Sequence, residues 1–153
     1  MPQAEVSQFK ILLAEDDKED RLFLQESALF LQAETKIEIE CVKDGVELMH
    51  TLLSPDLKMP DVVFLDINMP LKNGLECLHE IRNHPELEDL PVIIFTTSQR
   101  ESEIDEAYDA GANIYLIKPH QFPVLTEMLK KICRMDWKNQ RPSLWKDEFV
   151  WRK

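Results

Sequence analysis

Glu15 and Asp16 follow the short run Lys10–Ala14, and Asp66 closes a second apolar run, Asp61–Asp66. Thr96 closes a third, Pro91–Thr96, and Lys118 follows a fourth, Ile114–Ile117. Brought together, these side chains can handle a phosphoryl group. Three carboxylates in one crevice repel one another and raise each other's pKa. A hard divalent cation relieves that repulsion, and magnesium takes oxygen ligands while still pairing with phosphate oxygens. A lysine brings positive charge to another side of the group, and a threonine hydroxyl donates to a further oxygen. A carboxylate is itself a covalent nucleophile in aspartyl-phosphate chemistry.

Such convergence needs neighbouring strands that all end on one side. Between the apolar runs lie helical patterns. Leu22, Leu24, Ala28, Leu29 and Leu31 mark a helix from Lys18 to about Ala33. Asp17 is its expected cap, with Asp20 at the capping-box position. Lys36–Val42 alternates as a strand does, and Asp44-Gly45 opens a helix to about Leu53. Gly74 starts a helix to about Asn83, and another runs from about Ser102 to Ala110. Phe122, Leu125, Met128, Leu129 and Ile132 give the last helix one apolar face. The order is βαβαβαβαβα. Near-continuous apolar strands separated by helices indicate an α/β fold, a parallel sheet covered on both faces. Ligands of such sheets bind beyond the carboxyl ends of the strands.

The strings ILLAEDD, VVFLDINMPLKNG, PVIIFTTS and AGANIYLIKP resemble the receiver domain of two-component response regulators. The spacings of 30 residues from Asp66 to Thr96 and 22 from Thr96 to Lys118 are those of that family. The likeness covers about Phe9 to Arg134. It implies a flavodoxin-like, doubly wound five-stranded parallel sheet, order 2-1-3-4-5, with five helices. Asp66 is then the phosphoacceptor, fed by a sensor histidine kinase or a histidine phosphotransfer protein. The resemblance makes Asp16 and Asp66 direct Mg2+ ligands, Glu15 a ligand through water and Asn68 one through its backbone carbonyl. Lys118 binds a phosphoryl oxygen, Thr96 swings to the phosphoryl group, and Tyr115 turns inward as Thr96 moves. The Lys118–Pro119 peptide is expected to be cis. HPELEDLPV, TTS and the SPDLKMP loop are similar to the small regulators that partner bacterial phytochromes.

Several features depart from the family's usual strings. Asn73-Gly74 stands for Asp-Gly, Thr97 is bulkier than the frequent Ala, and His120 replaces an aromatic whose packing Phe122 is expected to supply. Asn68 and Ser98 occupy positions that tune dephosphorylation in the family. Only three glycines occur, so each is expected where the backbone needs one. Gly74 is expected to give φ > 0 before its helix, Gly111 to end the fourth helix as its C′ residue, and Gly45 to start the second.

Composition narrows the function further. With 18 basic against 29 acidic residues, net −11, an acidic body repels phosphate backbones and disfavours nucleic acid. No apolar run reaches the length of a membrane span, and the first ten residues lack the pattern of a signal peptide. Cys41, Cys77 and Cys133 are widely spaced, which fits reduced thiols in the cytoplasm rather than zinc or disulfides. His50, His79, His84 and His120 show no ligand spacing. Glu15-Asp16-Asp17 taken alone is an acidic helix start; with Asp66, Thr96 and Lys118 it is a metal site.

The receiver is expected over 1–135. All three tryptophans lie in the tail 136–153, which carries net +2 against −13 for the rest. Eighteen residues are too few for a DNA-binding output domain. The tail is read as docked on its own domain, as a contact for a dimer or partner, or as disordered. A homodimer through the fourth helix, fifth strand and fifth helix is the other arrangement. A downstream protein target is expected, and no enzyme activity beyond the domain's own aspartyl phosphorylation and dephosphorylation. The alternatives are a phosphorelay intermediate, a degenerate receiver and a haloacid-dehalogenase-type phosphatase. The last needs a second Asp where Asn68 stands.

Overall fold

The structure is a computed structural model that describes residues 7–138 and 146–152. Eight strand residues, β1 (Ser7–Ala14), lead into α1 (Lys18–Phe30). There follow β2 (Thr35–Val42), α2 (Gly45–Leu52), β3 (Val62–Leu65), α3 (Gly74–Asn83), β4 (Val92–Thr96), α4 (Glu101–Asp109), β5 (Ile114–Ile117) and α5 (Phe122–Arg134). The tail then adds α6, one turn at Lys146–Phe149, and β6 (Val150–Trp151).

The sheet runs β2-β1-β3-β4-β5-β6, and every pairing is parallel. The expected order holds, but the sheet has a sixth strand supplied by the tail. β3 and β4 are buried at every position, which is why they read as unbroken apolar runs. β2 lies at the edge and alternates half-buried Ile37, Ile39 and Cys41 with exposed Lys36, Glu38 and Glu40. One core packs α2, α3 and α4 on the sheet; the other packs α1 and α5. Phe122 packs against Phe23 and Phe30 of α1.

The chain winds outward from β1 in one direction to β2 and in the other to β3. That reversal opens a crevice beyond their carboxyl ends. The register lines up its walls. Ala14 pairs with Leu65, and the Asp66 N–H donates to the Ala14 carbonyl at 3.1 Å. Thr96 pairs with Ile117, and the Lys118 N–H donates to the Thr96 carbonyl at 2.8 Å.

Several local expectations are corrected. The first helix ends at Phe30, and the chain turns over Leu31–Glu34. Asp17 caps that helix by accepting from the Glu19 and Asp20 N–H groups, but no capping box forms there. The capping box lies at α3, between Asn73 and Glu76. Gly74 does not take positive φ; Leu71 does, at 69°. Gly74 is required because a Cβ there would collide with the Asp66 carbonyl. Gly111, at φ 92°, does end α4: its N–H donates to Tyr108 and the Ala112 N–H to Ala107, a Schellman closure. The Lys118–Pro119 peptide is trans, the lower-energy isomer of such bonds.

Candidate phosphoacceptor site

Glu15, Asp16 and Asp66 each offer a carboxylate oxygen, and the three atoms lie within 4.8 Å of one another. Glu15 and Asp66 are buried, whereas Asp16 is exposed. Three hard oxygen donors at the mouth of a crevice fit a divalent cation such as Mg2+. Burial pushes the Glu15 carboxyl up to about 7, and the Asp66 charge adds to the shift. The Lys118 hydrogen bond works against it without cancelling it. The Glu15 backbone is fixed from both sides: its N–H donates to Val42 at 3.0 Å and its carbonyl accepts from Arg21 at 2.9 Å.

Lys118 is only 8% exposed, so it is no ordinary surface lysine. Its ammonium donates to Glu15 at 2.6 Å, to Asp20 at 2.8 Å and, at 3.4 Å, to Asp66. It also sits 5.4 Å from the centre of the Phe95 ring. Burial alone would lower its pKa; the Asp66 charge and the bonds to Asp20 and Glu15 outweigh burial and hold it above the usual lysine value. The group is an ammonium ion at any physiological pH.

Thr96 is fully buried, and its hydroxyl accepts the Ser98 N–H at 3.3 Å. Tyr115 already faces inward: it is fully buried and its hydroxyl donates to the Ser98 carbonyl at 2.9 Å. Burial pushes its phenol up to about 12. Asn68 stands exposed, two residues past Asp66.

Thus Glu15, Asp16, Asp66 and Lys118 come together, with Thr96 and Tyr115 joined through Ser98 behind them. Two members take roles that the sequence did not assign them. Asp20 bonds Lys118 rather than its own helix start. Ser98 links Thr96, Tyr115 and the Glu103 carboxylate of α4, to which its hydroxyl donates.

The family model described as response regulator receiver domain matches residues 11–130. The chain belongs to the response-regulator receiver family. This receiver is 32% identical over 126 residues to response regulator Rcp1 of Synechocystis sp., covering 80% of this chain and 84% of that protein. Its fold matches a crystal structure of the phosphorylated cyanobacterial phytochrome response regulator RcpA with a TM-score of 0.76 at 33% identity. That match covers 90% of this chain and all of the other. The Mn2+-bound form of Rcp1 matches at TM-score 0.73 and 31% identity, over 88% of this chain and 99% of that one. The receiver is CheY-like in fold and belongs to two-component signalling, as a module that partners sensor kinases rather than a conventional enzyme. Among the described residues, no helix is long and apolar enough to cross a membrane.

Proposed function

We propose that this receiver is a phosphorylation-operated switch in which Asp66 accepts the phosphoryl group. The observation that carries the reading is one crevice holding three clustered carboxylates, with the Lys118 ammonium against two of them. An Asp66 carboxylate oxygen attacks phosphorus of a phosphohistidine donor; the P–N bond breaks, and its electron pair stays on the imidazole, which takes a proton. Asp16 and Asp66 would ligate Mg2+, with Glu15 acting through water and Asn68 through its backbone carbonyl. The bound ion supplies charge neutralisation at the phosphoryl oxygens. Lys118 binds one of those oxygens, and Thr96 turns its hydroxyl to another.

Thr96 and Tyr115 share Ser98, so motion at Thr96 reaches α4 and the face formed with β5 and α5. The partners that follow are a sensor histidine kinase of the phytochrome type in the cytoplasm, and a downstream protein that reads this face. A second copy of the chain is one such reader. The receiver unit is 1–135, and 136–153 is an appended element whose residues 149–151 lie against α4 and β5.

Intact mass after incubation with acetyl phosphate tests the acceptor. One phosphoryl group is expected with Mg2+, none in its absence, and none in Asp66→Asn. Phosphorylation retained in Asp66→Asn would overturn the assignment.

A further inference from the structure

Lys118 and a divalent cation draw on the oxygens of the same carboxylates. The ammonium holds Glu15 and approaches Asp66, and both belong to the carboxylate cluster that fits the cation. Two positive charges cannot both draw on those oxygens at full strength. Asp20 is the one carboxylate partner of Lys118, among the described residues, that lies outside the cluster.

The position of Asp20 is set independently of Lys118. It stands on the first turn of α1, where the Asp17 side chain accepts its backbone N–H at 3.1 Å. Its own carboxylate is not used for capping and reaches Lys118 at 2.8 Å, closer than Asp66 at 3.4 Å. We propose that Asp20 is a positioning residue that anchors Lys118 away from Asp66, so that the ammonium and a divalent cation occupy one crevice together. The inference rests on the cation and acceptor reading above. Without Asp20, every carboxylate left to Lys118 is also a cation ligand. The ammonium then settles on Asp66 and must be displaced before the cation binds.

A double-mutant cycle on metal affinity tests this. Mg2+ is titrated calorimetrically into the wild-type chain, Asp20→Ala, Lys118→Met and the double variant, with thermal melts as a check of folding. Asp20→Ala is expected to weaken Mg2+ binding about tenfold, the usual scale for losing a residue that orients a metal site. In the Lys118→Met background the same change is expected to cost less than about twofold, because the ammonium it restrains is gone. Asp20→Glu, which keeps a carboxylate within reach, is expected to recover most of the affinity. Equal weakening in both backgrounds would mean that Asp20 acts only as a nearby negative charge, and would overturn the proposal. So would unchanged affinity in both.

The acceptor reading fails separately. A chain that shows the cycle but takes no phosphoryl group would remove Asp66 as acceptor and leave Asp20 standing. A chain that is phosphorylated but shows a flat cycle does the reverse.

Discussion

Glu15 is a buried carboxylate of the site whose ionisation the fold resists. Its carboxyl is pushed from 4.5 up to about 7 by burial, with Lys118 only partly compensating. The sign of the consequence follows from proton binding. Between those two values the folded chain holds the proton and the unfolded chain does not. Stability from this group is therefore fully present below 4.5 and is lost as pH rises to about 7. The whole difference corresponds to about 3 kcal/mol, an upper figure. Metal-free protein is expected to gain melting temperature between about pH 7 and about pH 5 relative to Glu15→Gln, in which the group cannot titrate. A cation must displace the same proton, so stabilisation by Mg2+ is expected to grow as pH rises through about 7. Identical pH profiles for the two proteins would show that Glu15 is already ionised without metal.

At the scale of elements, α4 is held differently at its two ends. Its first turn meets Ser98 through Glu103, next to Tyr115 and Thr96. Its last turn ends at Gly111, whose carbonyl accepts from Arg82 of α3 at 2.9 Å. The same guanidinium donates to the Leu90 carbonyl at 2.7 Å, the Glu88 carbonyl at 3.2 Å and the Asn113 side chain at 3.0 Å. Arg82 thus ties α3, the segment before β4 and the turn before β5 with one planar fork. Arg82→Met leaves those acceptors short of a donor and is expected to cost about 3 kcal/mol in denaturant unfolding. Arg82→Lys is expected to recover little, since a point charge cannot span the same acceptors. Full recovery by lysine would show that the positive charge, not the fork, matters.

Neither Arg82 nor Asp20 was legible in the sequence, and for a shared reason. The strand ends that carry Asp66, Thr96 and Lys118 follow apolar runs that sheet periodicity makes plain. Arg82 and Asp20 lie on helices, where a polar residue reads as solvent-facing until the neighbouring element is in place. Asp20 was further disguised by its spacing from Asp17, which fits a capping box that does not form. The short β6 gave no periodic signal because two residues are too few to alternate.

The whole molecule is closed by its own tail. Phe149 is fully buried and packs edge-on against Tyr108, with ring centres 5.2 Å apart, and at 6.2 Å against Tyr115. Val150 pairs with Tyr115 and Trp151 with Leu116, so β6 covers the edge that β5 would otherwise expose. Alternation along β6 turns Val150 to the core that buries Phe149 of α6 and Trp151 to the other core. Farther back, the Trp137 indole donates to the Ile132 carbonyl at 2.8 Å. Of the arrangements expected for the tail, the described residues take the docked one; Trp145 lies outside them. The docked segment also occupies part of the face through which a second copy would pair. Phe149→Ala is expected to destabilise the fold by about 3–5 kcal/mol, the range for a buried aromatic. Deleting 136–153 removes the same plug and bares the β5 edge beside an apolar surface, and exposed edges of this kind pair with other chains. The truncated receiver is therefore expected to melt lower and to show a larger mass in light scattering, increasingly so at higher concentration. A truncated chain with unchanged melting temperature and monomer mass would mean that the tail rests on the domain without stabilising it. The β5 edge would then be guarded by something other than β6.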